Sequence, residues 1–246
     1  MPAVNSPVER NSAINNQQSV ISSGPLTLNT GYLSFEHKHE LHWLFSPLMR
    51  SVPDQRDEWA EQGDWLEAIQ RLKKAGKIRF FGVSINDNQP ENAIRLIETG
   101  AVDTVQVIHN IFEQAPEDRL YPACERHQVG VIVRVPFDEG GLTGKITPDT
   151  KFDSADFRSR YFRGDRKQQV YDRVQKIVSD LGITLDQMAD FALRYVLSYP
   201  AVSTVIPGMR SFRNVEANCR AGDGKGLSKE QANKLKAHRW ERNFYG

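Results

Sequence analysis

Three of the six histidines fall within six residues, His37, His39 and His42 in EHKHELHW. Imidazoles at this spacing bind a metal when a helix or strand converges the rings, but no later cluster of carboxylates or thiols completes a ligand set. The patch is read as solvated, and no metal is expected. Other chemically capable residues are spread along the chain: Ser84 closing RFFGVS, His109 closing VQVIH, Gly140 and Gly141 in PFDEGGLTGK, and Tyr161 among the arginines of FRSRYFR. His109 follows an apolar run, which predicts a packed or hydrogen-bonded imidazole rather than an acid or base. The glycine pair suits either a turn or close backbone approach to a ligand. For Tyr161 two readings stand, a lid over a cofactor or a mobile surface loop.

What positions these residues is an alternation of helix and strand that begins at Asp64. DWLEAIQRLKKAG places Leu66, Ile69 and Leu72 on one face, and Gly76 ends that helix. KIRFFGVSI reads as a buried strand ending near Ser84. PENAIRLIETG reads as a helix with Pro90 in its first turn and Gly100 past its end, leading into the strand DTVQVIHN. PEDRLYPACERHQVG predicts a helix with acidic residues in its first turn, and GVIVRVP a strand covered on both faces. A polar stretch runs on to about Asp165. Two amphipathic helices follow, RKQQVYDRVQKIVSDLG and LDQMADFALRYVLSYP, the second opened by Thr184 and Gln187 at capping-box spacing. AVSTVIPG is the fourth strand, and SFRNVEANCRA and SKEQANKLKAHRW close the chain as helices, the last with a Ser228–Gln231 box. Four strands are expected, beginning near Ile78, Thr104, Val131 and Val202, and no fifth. In a parallel α/β protein the chemistry lies beyond the strands' C-terminal ends, near Ser84, His109, Pro136 and Pro207.

Composition narrows the function. The 246 residues carry a net charge of +1, without the basic excess that tracks phosphate, so nucleic acid is not an expected partner. No apolar run approaches eighteen residues, so no membrane span is expected. MPAVNSPVER lacks the basic start and apolar core of a secretory signal. Cys124 and Cys219 are too few for a disulfide framework and read as reduced thiols of a cytoplasmic protein. Residues 1 to 35 hold only Glu9 and Arg10 as charges and no sustained period. Residues 1–63 are therefore expected to be irregular or disordered, with the folded domain in 64–246.

At the strand ends the sequence resembles the aldo-keto reductase family. Four segments carry the resemblance in order, GKIRFFGVS, VQVIHNIFEQ, VPFDEGGLTGK and STVIPGMRSFRNVEAN, within about Asp64 to Ala221. It implies a partial (β/α)8 TIM barrel, about the last four β/α units, of an NADP-dependent oxidoreductase that reduces aldehydes and ketones. By resemblance, Ser84 and Gln106 hydrogen-bond the nicotinamide carboxamide, which needs both a donor and an acceptor. Ile85 stands where the family often has Asn, and Arg134 where many relatives stack a Tyr on the nicotinamide. Pro136, Phe137, Asp138, Glu139, Gly140 and Lys145 match the loop over the pyrophosphate, where the two acidic side chains must turn away. Gly208, Met209 and Arg210 match the segment that recognises the adenosine 2′-phosphate, with Arg213 nearby and Asn214 and Asn218 on the adenine side. Ala217 stands where the family frequently has Glu. The implied cofactor is NADP(H) rather than NAD, and the implied partners are a nicotinamide nucleotide and a carbonyl substrate.

Family catalysis uses a Tyr proton donor helped by Asp, Lys and His, with Asp and Tyr from a segment resembling D-T-A-x-x-Y-G, Lys from the next strand end and His from the strand after that. Residues 1–63 contain no such segment, and Tyr32 in NTGYLSF lacks the preceding Asp and strand. His42 in LHW is a weak candidate for the family His, because the preceding SFEHKHE is not a buried strand. Catalytic residues are otherwise unassigned. The expectation is a catalytically incomplete half-barrel whose open sheet edges favour self-association or a partner subunit. The alternatives are a non-catalytic remnant that binds NADP or a partner, and the product of a truncated reading frame.

Overall fold

The strongest apolar runs become neighbouring strands of one sheet. The structure, a computed structural model, describes residues 43–46 and 64–245. Five strands, β1 (Trp43–Ser46), β2 (Phe80–Ser84), β3 (Thr104–Ile108), β4 (Gly130–Arg134) and β5 (Val202–Ile206), lie in sequence order. The first two pairings are parallel, Trp43 opposite Phe80 to Ser46 opposite Val83, and Gly82 opposite Thr104 to Ser84 opposite Gln106. β1 corrects the expectation of four strands, and it lies inside the segment expected to be irregular. Four residues are too short to show a period, and their pairing depends on a partner strand more than thirty residues away.

The chain divides into two compact units. The first comprises residues up to Val107 with Arg119–Ile132, and the second Ile108–Asp118 with Val133 onward. In the first unit, helices α1 (Asp64–Lys74), α2 (Ile94–Glu98) and α3 (Leu120–His127) connect the strands. Phe81, Val83, Val105 and Val131 are buried with Ile97, Leu120 and Cys124. Asp103 fastens several elements at once. Its Oδ2 accepts from Lys73 Nζ at 2.5 Å and from the Phe81 amide at 2.7 Å, while its own amide donates to Phe81 O and its carbonyl accepts from Gly130 N.

The second unit holds α4 (Phe157–Tyr161), α5 (Arg166–Leu181), α6 (Met188–Leu197), α7 (Phe212–Ala221) and α8 (Lys229–Lys236). Val170, Val174 and Ile177 of α5 and Met188, Ala192, Leu193 and Val196 of α6 are buried, so each expected amphipathic face is a core face. Both capping boxes form, at Thr184–Gln187 and Ser228–Gln231. Four helices are shorter than expected: PENAIRLIETG is α-helical only over Ile94–Glu98 after a 3-10 turn at Pro90–Ala93, and LDQMADFALRYVLSYP only over Met188–Leu197 after one at Leu185–Gln187. PEDRLYPACERHQVG is helical only from Leu120, because Ala115–Glu117 is a separate 3-10 turn whose Glu117 is engaged by His109 and Tyr195. SKEQANKLKAHRW stops at Lys236, after which the Trp240 amide donates to Phe112 O at 2.9 Å.

β5 differs from the inner strands. None of its residues is buried, and Ile206, Met209, Phe212 and Val215 beyond it are exposed. No helix among the described residues is long and apolar enough to cross a membrane.

Candidate functional site

In the first unit the candidate residues are Ser84, the last residue of β2, and Gln106, the middle residue of β3. Ser84 and Gln106 are register partners, half-buried, while Val83 and Val105 beside them are buried. The Ile85 amide donates to Gln106 O at 2.9 Å and locks this register at the last residue of β2. Among the described residues neither side chain makes a hydrogen bond, which leaves a hydroxyl and a carboxamide side by side with their donors and acceptors available. Ile85 is itself a core side chain, 1% exposed, so an apolar residue suits that position. Asn86 was not singled out by the sequence, yet its Oδ1 is buried without a hydrogen-bond partner. The signal was available: it is the first amide side chain after Ser84 in GVSIND.

In the second unit the candidate residues begin with the loop after β4. Its backbone is unusual, with positive φ at Val135 (54°), Asp138 (51°), Glu139 (55°) and Gly140 (105°). A non-glycine residue held in such a region costs on the order of 1–3 kcal/mol, most for a β-branched side chain, so the surroundings must impose the shape. Several groups do so. Asn110 Nδ2 donates to Val135 O at 3.0 Å, and the Gly140 and Leu142 amides both donate to Phe137 O. Asp138, 1% exposed, accepts at Oδ1 from Tyr161 Oη at 2.8 Å and from Arg242 Nη2. Burial is the largest influence on this carboxyl and pushes its pKa up, against the pull of Arg242 and Tyr161. Glu139 accepts from Tyr245 Oη at 2.8 Å; burial raises its pKa too, with Arg134 and Arg158 among the charges that oppose the rise. Both acidic side chains are thus engaged by protein groups, and the loop can face an anion with its backbone. Gly144 is required where it stands, because φ is +74° and a Cβ would lie 2.4 Å from Leu185 O. Lys145 next to it is exposed.

The β5–α7 junction completes the residues of the second unit. Gly208, Met209 and Arg210 are exposed ahead of α7, and Arg213 is exposed in its first turn. Ser211 Oγ caps the helix by accepting from the Asn214 amide at 3.3 Å, and Asn218 Nδ2 donates to Gly208 O at 3.3 Å. Asn218 also lines a groove of about 300 Å³ with Ala217, Leu193, Asp186 and Asp190. Asp156 faces this region: its hydrogen bonds to Arg158 hold its pKa at about 2, with a further contribution from Arg210.

The remaining candidates have structural partners. His109 is fully buried, with Nε2 2.9 Å from Glu117 Oε1, and Tyr195 Oη donates to the same oxygen at 2.6 Å. Desolvation lowers the His109 pKa despite its acidic partner, which fits a neutral, hydrogen-bonded imidazole. Tyr161 is not a surface residue. It is 2% exposed and packs on Phe162, Phe244 and Tyr245, as expected of a ring whose hydroxyl has a buried acceptor. His37, His39 and His42 lie outside the described residues. Among the described residues no group of three or more His, Cys, Asp or Glu side chains could hold a metal.

Comparison with known proteins adds the ancestry. The model of the aldo/keto reductase family matches residues 40–239. The chain is 25% identical over 173 residues to an uncharacterized oxidoreductase, YqkF, of Bacillus subtilis, covering 70% of this chain and 54% of that protein. It is 25% identical over 153 residues to the NADH-specific methylglyoxal reductase of Escherichia coli, covering 62% of this chain and 46% of that protein. It therefore spans about half the length of the curated relatives it matches. Among solved structures, the glycerol dehydrogenase of Gluconobacter oxydans superposes with a TM-score of 0.60 at 23% identity, over 94% of this chain and 64% of that one.

Proposed function

Because this chain belongs to the aldo/keto reductase family, we propose that it binds NADP(H) and forms the cofactor-holding part of a carbonyl oxidoreductase. The observation that carries this reading is the register pairing of Ser84, the last residue of β2, with Gln106 in the middle of β3, neither side chain making a hydrogen bond among the described residues. A nicotinamide carboxamide presents an N–H donor and a C=O acceptor together, and a hydroxyl beside an amide answers both. The buried, unpartnered Asn86 Oδ1 lies two residues beyond Ser84 and would take a further N–H donor. Bound NADPH supplies a hydride for a carbonyl carbon. The chain's own groups bind and orient it. Arg134 offers a planar cation for stacking, the 136–140 backbone with Lys145 receives the pyrophosphate, and Gly208, Met209, Arg210 and Arg213 receive the 2′-phosphate. Asn214 and Asn218 receive the adenine side, Asn218 from the groove that it lines.

The sequence offers no D-T-A-x-x-Y-G segment, so the proton for the carbonyl oxygen is not assigned to any residue here. The reading is a partial barrel that holds cofactor and is catalytically incomplete by itself. A second reading, association with another subunit or copy, is favoured by the half-exposed β5 and the apolar residues beyond it. Free thiols at Cys124 and Cys219 suit the cytoplasm as the compartment.

A fluorescence titration with NADPH, with NADH as the comparison, tests the proposal. The expected result is saturable binding at least tenfold tighter for NADPH. Equal affinities would overturn the phosphate role of Arg210 and Arg213, and no binding of either nucleotide would overturn the function.

A further inference from the structure

We propose that Arg242 is a positioning residue for the nucleotide loop, and that the C-terminal segment from Trp240 to Tyr245 is the fixture that holds this loop in shape. The inference deepens the reading above and rests on it for the ligand.

Asp138 and Glu139 are consecutive, both sit in the left-handed region, and both carboxylates are engaged by that one segment, Asp138 by Arg242 and Glu139 by Tyr245. No local hydrogen bond replaces these contacts. The segment is itself anchored, so it can impose a conformation rather than follow one. Arg166 Nη1 donates to Phe244 O at 2.9 Å and its guanidinium lies 4.4 Å over the Phe244 ring, while that of Arg173 lies 4.0 Å over Trp240. The Arg242 side chain is 8% exposed and its guanidinium lies over Phe112, Trp240 and Phe244. Among the described residues the one ion pair of this buried cation is with Asp138, a carboxylate of the loop. Its consequence reaches the ligand face. With Asp138 and Glu139 drawn toward the C-terminal segment, the backbone of 136–140 is left to a diphosphate without two carboxylates competing for the same space.

The experiment compares the whole chain with R242M, D138N, the double variant and the milder R242K and Y245F. Amide hydrogen exchange over residues 136–142 without nucleotide is read beside NADPH titration, with circular dichroism to confirm folding. R242M is expected to speed exchange in this loop by about fivefold or more while α6 is unchanged, and to weaken NADPH binding by about tenfold. R242K is expected to recover part of both, and adding D138N to R242M should change neither further, because the two side chains act as one unit. Loop exchange identical to that of the unaltered chain would overturn the proposal, as would unchanged NADPH affinity in a folded R242M. If the unaltered chain binds no nucleotide, the functional reading fails while loop exchange still decides the positioning role. If R242M does not fold, R242K and Y245F carry the same two readouts.

Discussion

The β2–β3 pair that carries Ser84 and Gln106 and the loop after β4 are both proposed here to contact the cofactor, yet they are built in opposite ways. In β2 and β3, regular backbone hydrogen bonds set the register, and the side chains of Ser84 and Gln106 make no hydrogen bond among the described residues. In the loop, backbone geometry is irregular, and the most polar side chains are the ones most firmly held. The contrast shows two routes to preorganisation. A strand is shaped by its neighbours along the sheet and can present free side chains. A loop with positive φ values must use its side chains to hold itself, so what it can present is backbone.

The sharpest way to break this contrast is to strain the loop where it has no room. Gly144→Val adds a Cβ against Leu185 O at a positive φ and should destabilise the fold by about 3–5 kcal/mol, read from urea midpoints. A small effect would mean that the loop is softer than its packing implies. A second test uses pH. His109 and His238 both titrate below the ordinary imidazole value, chiefly through burial. An unfolded chain takes up those protons first, so the stability from keeping the rings neutral is complete above pH of about 6.5 and is lost as pH falls. The urea midpoint should fall between pH 7.5 and pH 5.5, and fall less in His109→Gln; an equal fall in both would remove His109 from the account.

The strand half of the comparison is tested with Ser84→Ala and Gln106→Ala. Each should weaken NADPH by about three- to tenfold, the value of one or two hydrogen bonds, with the thermal midpoint nearly unchanged. A drop in midpoint without loss of affinity would make these residues structural and reverse the contrast. The smallest effect is expected at Lys73→Met. It removes the ammonium from Asp103 but leaves the Phe81 amide in place, and a partly exposed pair contributes about 0.5–1 kcal/mol to the denaturation free energy.

Residues differ in how legible they are. Ser84 can be placed from the sequence because FFGVS is an apolar strand with a clear end, where a parallel sheet presents its chemistry, and Gln106 because it is the amide inside the otherwise apolar run VQVI. The two capping boxes are equally local, each a side chain and an amide three residues apart. β1 is not legible, since its pairing is the property of another strand. Glu117 reads as an acidic residue in a helix's first turn until a buried imidazole and a tyrosine hydroxyl take its oxygen. Asp138 and Arg242 are separated by 104 positions, and nothing in either local pattern announces the other.

The sequence by itself determined the order of elements, their caps, the strands that carry Ser84 and Gln106, and the family. Each of these rests on periodicity or on contacts within a few residues, which the chain specifies locally. Only the tertiary structure decided that a fifth strand joins the sheet, that Tyr161 is a buried anchor, and that the acidic pair of the loop after β4 turns to the C-terminal segment. Those outcomes depend on burial. A carboxylate taken out of water must find a cation or a hydroxyl, and which one it finds depends on what the fold has packed nearby, not on what lies next to it in sequence.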